Sequence, residues 1–447
     1  MAYFQVYKSE ELLESPYNKR AEAEAENVRR GTIYSYQGDI LALTETDDEG
    51  NEKRVYPWDD LFAHTVGYLE YGSSGLEATQ SRVLLTSHSK LKDKISNQIN
   101  EEKLAGDDLI TTLDVGLQQA AYNALGDYDG AVFVMDVSTG AVLADVSKPA
   151  FDANTIVEDW DYLVSEENEQ SGVFVNRATQ GLYPPGSTFK IVTALAYLEE
   201  YGSFDGFEYE CDGYYEHGDY TIHCAGNKSH GYEDFSDAMA NSCNCAFAYM
   251  ATELIDRDVL AATASKLGFN HDFEIGIPSV ISTFTLDQSS ADELTMQTGI
   301  GQGNTLATPM QMCMIVQAIA NKGNMLVPKI MDRVQSSSGE VVEAYTAQNV
   351  GSVMTTEQAS ALTDILKGVV QRGTASALSS LPYDIAGKTG TAQYGDIAND
   401  TSHSWFAGFS NTGEDDIAVC VLLEDGGTNN DPAYRVAGEV FEAYFDY

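Results

Sequence analysis

At 447 residues, with 43% apolar and 10% aromatic residues, the chain is long enough for two folded domains and too apolar for wholesale disorder. Its 69 acidic against 25 basic residues leave a formal charge of -44, which repels nucleic acid and anionic lipid and excludes polyanionic partners. No run approaches the ~20 apolar residues of a membrane span and no secretory leader is legible, so the chain reads as soluble, or as the outer part of a protein anchored by a segment outside this sequence.

In chain order, residues 1 to about 30 read as a charged amphipathic helical lead-in, with Glu10-Glu11-Leu12-Leu13 and then Ala21-Glu22-Ala23-Glu24-Ala25-Glu26. From Gly31 the pattern turns to short alternating runs, Thr32 to Tyr36, Ile40 to Leu43 and Arg54 to Tyr56, which predict a small sheet of hairpins. Residues 76 to 104 are mixed and charged, with no chemistry to single out. A composition shift at Gly106-Asp107-Asp108 places a domain boundary, giving a small first domain over 1–105 and a second over 106–447.

The second domain opens with Leu117 to Ala121 as helix and with Gly130 to Asp136 and Ala141 to Asp145 flanking Ser138-Thr139-Gly140, a hairpin signal. Helical segments follow around 236 to 268. Thr308-Pro309-Met310-Gln311 carries a cap, a first-turn proline and a capping-box glutamine, and starts a helix to about Asn321. Another helix runs from about Thr356 to Arg372. Strands over Ile385 to Gln393, Ser404 to Phe409 and Ile417 to Leu423 precede a last helix from about Pro432. Helices set between two groups of antiparallel strands predict an α+β fold.

Three short constellations carry chemistry. Pro184-Pro185-Gly186 forbids a helix before Ser187, and the residues after it are good helix formers, so Ser187 is expected at a helix start with Lys190 on the same face. A serine beside a lysine is a nucleophile with a base. The spacing alone is weak, because Ser87/Lys90 and Ser89/Lys92 repeat it without context. The second is Asn241-Ser242-Cys243-Asn244, which by itself is also a helix cap, and the third is Lys388-Thr389-Gly390-Thr391 within the closing strands. A helix N-terminus and a second cation at Lys388 both disfavour charge on Lys190. Alternation sets Lys388 and Gly390 on one strand face and Thr389 and Thr391 on the other, which leaves open how both sets serve one site.

Ser-x-x-Lys, Ser-x-Asn and Lys-Thr-Gly in this order resemble the motif set of penicillin-binding proteins and class A β-lactamases. Over nearly its whole length the chain resembles class B penicillin-binding proteins. The resemblance rests on Arg30-Gly31-Thr32-Ile33, Asn176-Arg177-Ala178, Tyr183 to Lys190, Gly301-Gln302-Gly303, Thr308 to Gln311 and Trp405-Phe406-Ala407-Gly408. The short first domain is similar to the Gram-positive penicillin-binding protein A type. This resemblance implies a penicilloyl-serine transferase fold with a small N-terminal β-rich pedestal or dimerisation domain. It also implies a D,D-transpeptidase outside the cytoplasmic membrane, acting on stem peptides that end in D-Ala-D-Ala and acylated by β-lactams.

Carried over residue by residue, Ser187 is the nucleophile and Lys190 its base. Ser242 relays the proton, Asn244 holds Lys190 and substrate, and Lys388 completes the catalytic set. Thr389 and Thr391 bind the terminal carboxylate, and Gly390 leaves room for an extended peptide. The amides of Ser187 and Thr391 form the oxyanion site. A membrane glycosyltransferase partner is implied by the family only.

Two other readings stand beside this one: a β-lactamase with Glu293 activating a deacylating water, and a wall-peptide or β-lactam-binding scaffold without turnover. Cys211 and Cys224 bracket a Tyr, Gly and Asp-rich loop, as a disulfide would, against the reading of two free thiols; Cys313 and Cys420 read as core. The acidic aromatic loop from Glu208 to Tyr220 is either a plain solvated loop or a lure for the acceptor's amine. No metal-ligand cluster or phosphate loop is legible, so no metal and no cofactor are expected.

Overall fold

The computed structural model describes residues 25–90, 97, 99, 102–169, 171–394, 401–427 and 432–446. The lead-in expected over residues 1 to about 30 falls largely outside them. The hairpin-forming runs become β1 (Ile33–Tyr34), β2 (Ile40–Thr46) and β3 (Glu52–Val55), and β4 (Asp108–Thr111) pairs in parallel with β1.

After helix α1 (Val115–Leu125), capped by Asp114, the hairpin signal at Ser138-Thr139-Gly140 yields β5 (Gly130–Asp136) and β6 (Val142–Lys148) in antiparallel register. The nucleophile-helix candidate is α2 (Lys190–Tyr201), and α3 (Asn244–Tyr249) follows the Ser-x-Asn stretch. Thr308 caps α4 (Pro309–Ala320) by accepting from the Gln311 amide. The Gln311 side chain turns away to Leu267 O, so the reciprocal half of the expected capping box is not made. Two strands, β7 (Met331–Gln335) and β8 (Val341–Ala344), precede α5 (Thr356–Arg372), which starts on a complete capping box of Thr355 and Gln358. The closing elements are β9 (Ile385–Gln393), β10 (Ser402–Ser410), β11 (Ile417–Leu423) and α6 (Ala433–Phe445).

A five-stranded sheet in the order β9-β10-β11-β5-β6, antiparallel throughout, forms the centre of the larger part. Every residue of β10 and β11 is buried, as strands covered on both faces require. Helix α4 packs on β5, β10 and β11, while α1 and α6 pack on one another with α6 against β10 and β11. Cys313 and Cys420 are buried there. Among the described residues, strand β9 has one strand neighbour, so its other edge is not paired to a strand. The second sheet, in the order β8-β7-β4-β1-β2-β3, takes strands from both sides of position 105. Among the described residues, no helix is long and apolar enough to cross a membrane.

Candidate active site

Pro184, Pro185 and Gly186, the last at φ +52, end the preceding loop, and Gly186–Phe189 wind as one 3-10 turn that runs directly into α2 at Lys190. Ser187 therefore sits at a helix start, as expected, but in a 3-10 first turn three residues before the α-helix proper. The turn is held by Gly186 N–H donating to Gly301 O at 2.9 Å and Thr188 Oγ1 donating to Pro185 O at 2.7 Å.

Lys190 is fully buried. Its Nζ donates to Ser242 O at 2.7 Å, Asn244 Oδ1 at 2.8 Å and Ser242 Oγ at 3.2 Å. Ser242 adopts φ +56, a left-handed conformation sparse for a residue with a side chain, and this turns both its carbonyl and its hydroxyl toward the lysine. Lys388, also fully buried, donates to Ser242 Oγ at 2.8 Å and to Thr389 O at 3.0 Å. Two lysines thus converge on one serine hydroxyl. Among the described residues Ser187 Oγ has no hydrogen-bond partner, and Asn244 Nδ2 donates to His223 O at 3.0 Å.

Burial is the largest cause that lowers the Lys190 amine from the usual lysine range, to about 8. Burial, and then the charge of Lys190, push Lys388 well below the usual lysine range. The repulsion between the two lysines was expected from the motifs, whereas their burial was not, because burial is decided by distant segments.

The parity question at β9 is answered by packing. Lys388 and Gly390 face inward, whereas Thr389 is half-buried and Thr391 exposed. A Cβ on Gly390 would lie 3.1 Å from Pro185 O, Thr188 Cγ2 and Trp405 Cβ, so its missing side chain admits the Ser187 turn. A Cβ on Gly186 would lie 2.6 Å from Thr391 O. The Thr391 carbonyl therefore points at the Ser187 turn, and in an antiparallel strand the amide of the same residue points to the same edge. At the end of that edge, the Gln302 carboxamide lies against Gln393, and with its amide turned over Nε2 donates to Gln393 O at 3.2 Å and Oε1 accepts from Gln393 N at 3.1 Å.

Sequence reasoning missed Thr374, whose Oγ1 lies 2.5 Å from Thr389 Oγ1. It follows α5 directly in Arg372-Gly373-Thr374, and no local pattern marks it. Glu293 is exposed on the helix Asp292–Gly299 and accepts from Gln297 Nε2 at 3.5 Å. The expected Cys211–Cys224 bridge is not formed: the thiols are free, with sulfurs 3.7 Å apart against about 2.05 Å for a bond. Instead Cys211, Cys224, His230 and Cys243 place four metal-ligating atoms within 4.8 Å of one another, a convergence that the linear spacing does not show.

A serine on a tight turn, two buried lysines on a second serine, and a free strand edge define a serine acyltransferase of the penicillin-interactive class. The family model described as the penicillin binding protein transpeptidase domain matches residues 130–446, and that of the penicillin binding protein A dimerisation domain matches 30–109. The chain belongs to the penicillin-binding protein transpeptidase family. It is 28% identical to the peptidoglycan D,D-transpeptidase PbpA of Mycolicibacterium smegmatis, over 95% of this chain and 89% of that one. The D,D-transpeptidase domain of a peptidoglycan glycosyltransferase from Eggerthella lenta superposes with a TM-score of 0.84 at 29% identity, covering 94% of this chain and 99% of that one. Penicillin-binding protein A from M. tuberculosis, solved as an imipenem acyl-enzyme complex, shares the fold with a TM-score of 0.83 at 24% identity, covering 94% and 99%.

Proposed function

We propose that the chain is a peptidoglycan D,D-transpeptidase that cross-links stem peptides through an acyl-enzyme on Ser187 and is acylated there by β-lactams. The observation that carries this reading is the convergence of Lys190 and Lys388 on Ser242 Oγ beside the Ser187 turn. Ser187 Oγ attacks the carbonyl between the two terminal D-alanines, and its proton passes to neutral Lys190. Ser242, bonded to both lysines, relays that proton to the amine of the departing D-Ala as the C–N bond breaks. The amine of a neighbouring stem then attacks the ester, and Ser187 recovers its proton by the reverse path. Asn244 holds Lys190 by its carbonyl. The amides of Ser187 and Thr391 face the developing oxyanion, a donor set worth on the order of 3 kcal/mol per member in such reactions.

Thr389 and Thr391 present hydroxyls to the substrate carboxylate, and Gly390 lets β9 approach the nucleophile's turn closely enough for this. The donor peptide adds as a strand along the free edge of β9. The division into residues 1–105 and 106–447 belongs to the same reading, the first unit serving docking or dimerisation. So do an extracytoplasmic location with an anchor outside this sequence and a membrane glycosyltransferase partner. Exposure of Glu293 and its bond to Gln297 do not favour the β-lactamase.

Labelling with a fluorescent penicillin tests the assignment. The wild type is expected to form a stable adduct and Ser187→Ala none. An adduct independent of Ser187 sinks the reading, and rapid label loss with steady hydrolysis replaces it with the β-lactamase.

A further inference from the structure

We propose that Cys211, Cys224, His230 and Cys243 form a tetrahedral zinc site that braces the turn carrying Ser242 and Asn244. The four residues come from separate pieces of chain. Cys211 ends the strand Glu208–Cys211, and Cys224 follows the strand Tyr220–His223. His230 precedes the strand Gly231–Asp234, whose pairing with Glu208–Cys211 sets Gly231 opposite Cys211. Cys243 is the middle residue of the Ser-x-Asn motif. The three cysteines are buried and the His230 side chain is only 7% exposed.

Distances decide between the ways such a group of thiols is used. A disulfide needs sulfurs about 2.05 Å apart. Zinc bonds of about 2.3 Å to sulfur and about 2.0 Å to nitrogen, at tetrahedral angles, put sulfurs about 3.8 Å apart and sulfur about 3.5 Å from nitrogen. The Sγ atoms of Cys211 and Cys224 are 3.7 Å apart, as are those of Cys224 and Cys243. His230 Nδ1 lies 3.5 Å from Cys211 Sγ and 3.7 Å from Cys224 Sγ. These are four of the six edges of a tetrahedron about one ion, and the other two, from Cys243 to Cys211 and to His230, are within 4.8 Å. Three thiolates and an imidazole are also the soft donor set that selects zinc among common divalent metals. The sequence separations of 13 and 6 residues hide the site from a search for paired-cysteine knuckles.

A second observation sits beside the donors. Glu233 is buried, its Oε1 accepts from Asn241 Nδ2 at 2.8 Å and lies 3.9 Å from His230 Nδ1, and its Oε2 has no hydrogen-bond partner. A buried carboxylate with an orphan oxygen is costly unless a cation stands near it. On zinc binding the three thiols lose their protons to solvent, and the ion holds Cys243 from below. That fixes its neighbours: Ser242 in its left-handed conformation and Asn244 on Lys190. Cys245 Sγ, 3.3 Å from Cys224 Sγ, also bonds toward Ile222 O and lies outside the set of four. It supplies the control.

The experiment measures metal in the full chain, purified without chelator, together with the visible spectrum after exchange into cobalt(II). The expected result is about one zinc per chain and an intense tetrahedral cobalt spectrum with thiolate charge-transfer bands. Cys245→Ser should keep both, while Cys224→Ser and His230→Ala should lose at least about nine-tenths of the metal. Less than about a tenth of an equivalent in the wild type, a weak octahedral cobalt spectrum, or a Cys211–Cys224 disulfide by mass spectrometry overturns the proposal. The wild-type count and spectrum decide the matter even if the ligand variants do not fold. Bracing is read separately, and this half alone rests on the transpeptidase reading. A strong chelator should slow Ser187-dependent penicillin labelling at least about tenfold, with recovery on adding zinc, by analogy with loss of groups that orient a site. Bound zinc whose removal leaves labelling unchanged overturns the bracing role. Bound zinc without any Ser187 adduct would instead count against the proposed function.

Discussion

Lys190 makes three hydrogen bonds from one amine, and a neutral amine has only two N–H groups to give. The two shorter bonds end on oxygens that only accept, Ser242 O and Asn244 Oδ1, so deprotonation leaves the lone pair on the hydroxyl side of the site. The ionisable groups facing it are Lys388, Glu233 and the thiols of Cys224, Cys243 and Cys245. With Lys190 lowered to about 8, acylation of Ser187 should rise about tenfold between about pH 7 and about pH 9 and then level off. A rate of β-lactam acylation that stays flat across that range would rule out Lys190 as the base.

Asp145 shows the same physics away from the site. Its Oδ2 accepts from Thr65 Oγ1 at 2.7 Å and Asn176 Nδ2 at 2.8 Å, Oδ1 has no partner, and burial pushes it up to about 6. The folded state therefore keeps a proton that the unfolded state releases near pH ~4, and stability falls as pH rises from about 4 through about 6. Asp145→Asn should be more stable than wild type at pH ~7 by up to about 3 kcal/mol, the difference vanishing near pH ~4. Denaturant titrations at both pH values check this, and a less stable variant at neutral pH would refute it.

At the level of elements, the site is a contact between a tight turn and a strand edge. Gly186 is the point of closest approach, with a positive φ and no room for a Cβ beside Thr391 O. Gly186→Ala should cost about 1–3 kcal/mol of stability and slow acylation further by moving Ser187 off β9. Unchanged unfolding and acylation would show that the turn relaxes freely. The element boundaries were largely legible: hairpin chemistry at Ser138-Thr139-Gly140 and the cap at Thr308 act within a few residues, and the strands and helix formed where they pointed. The 3-10 winding at Ser187 was not legible, because the Gly301 carbonyl and the back of β9 hold that turn.

Across the whole molecule, a stretch that looked featureless in sequence bridges Arg30 and Arg54. Glu77 is buried between Arg30, at 2.6 Å, and Arg54, at 2.7 Å, and Arg54 also donates to Gly31 O at 2.7 Å. Burial raises the Glu77 pKa, but the two guanidiniums more than offset this and hold it below the ordinary value. Its contribution is present above the unfolded pKa of about 4.3 and fades as pH falls through the lower folded value. Glu77→Ala strands two buried cations and should destabilise the chain by about 3–5 kcal/mol, measured by denaturant unfolding at neutral pH. A loss below about 1 kcal/mol would mean that water reaches the pair.

What the sequence determined by itself was whatever local chemistry controls: the order of the three motifs, the halt that Pro184-Pro185-Gly186 imposes before Ser187, the caps and the hairpin. Those signals also carried the family. The tertiary structure alone decided which groups meet. Lys388 reaches Ser242 across 146 positions, Thr374 finds Thr389, and Cys243 joins Cys211, Cys224 and His230 where a disulfide had been expected. Burial of Lys190, and with it the lowering of the amine's pKa, likewise comes from packing by distant segments. Periodicity and capping act over one turn, whereas desolvation and convergence depend on which distant segments the core brings together.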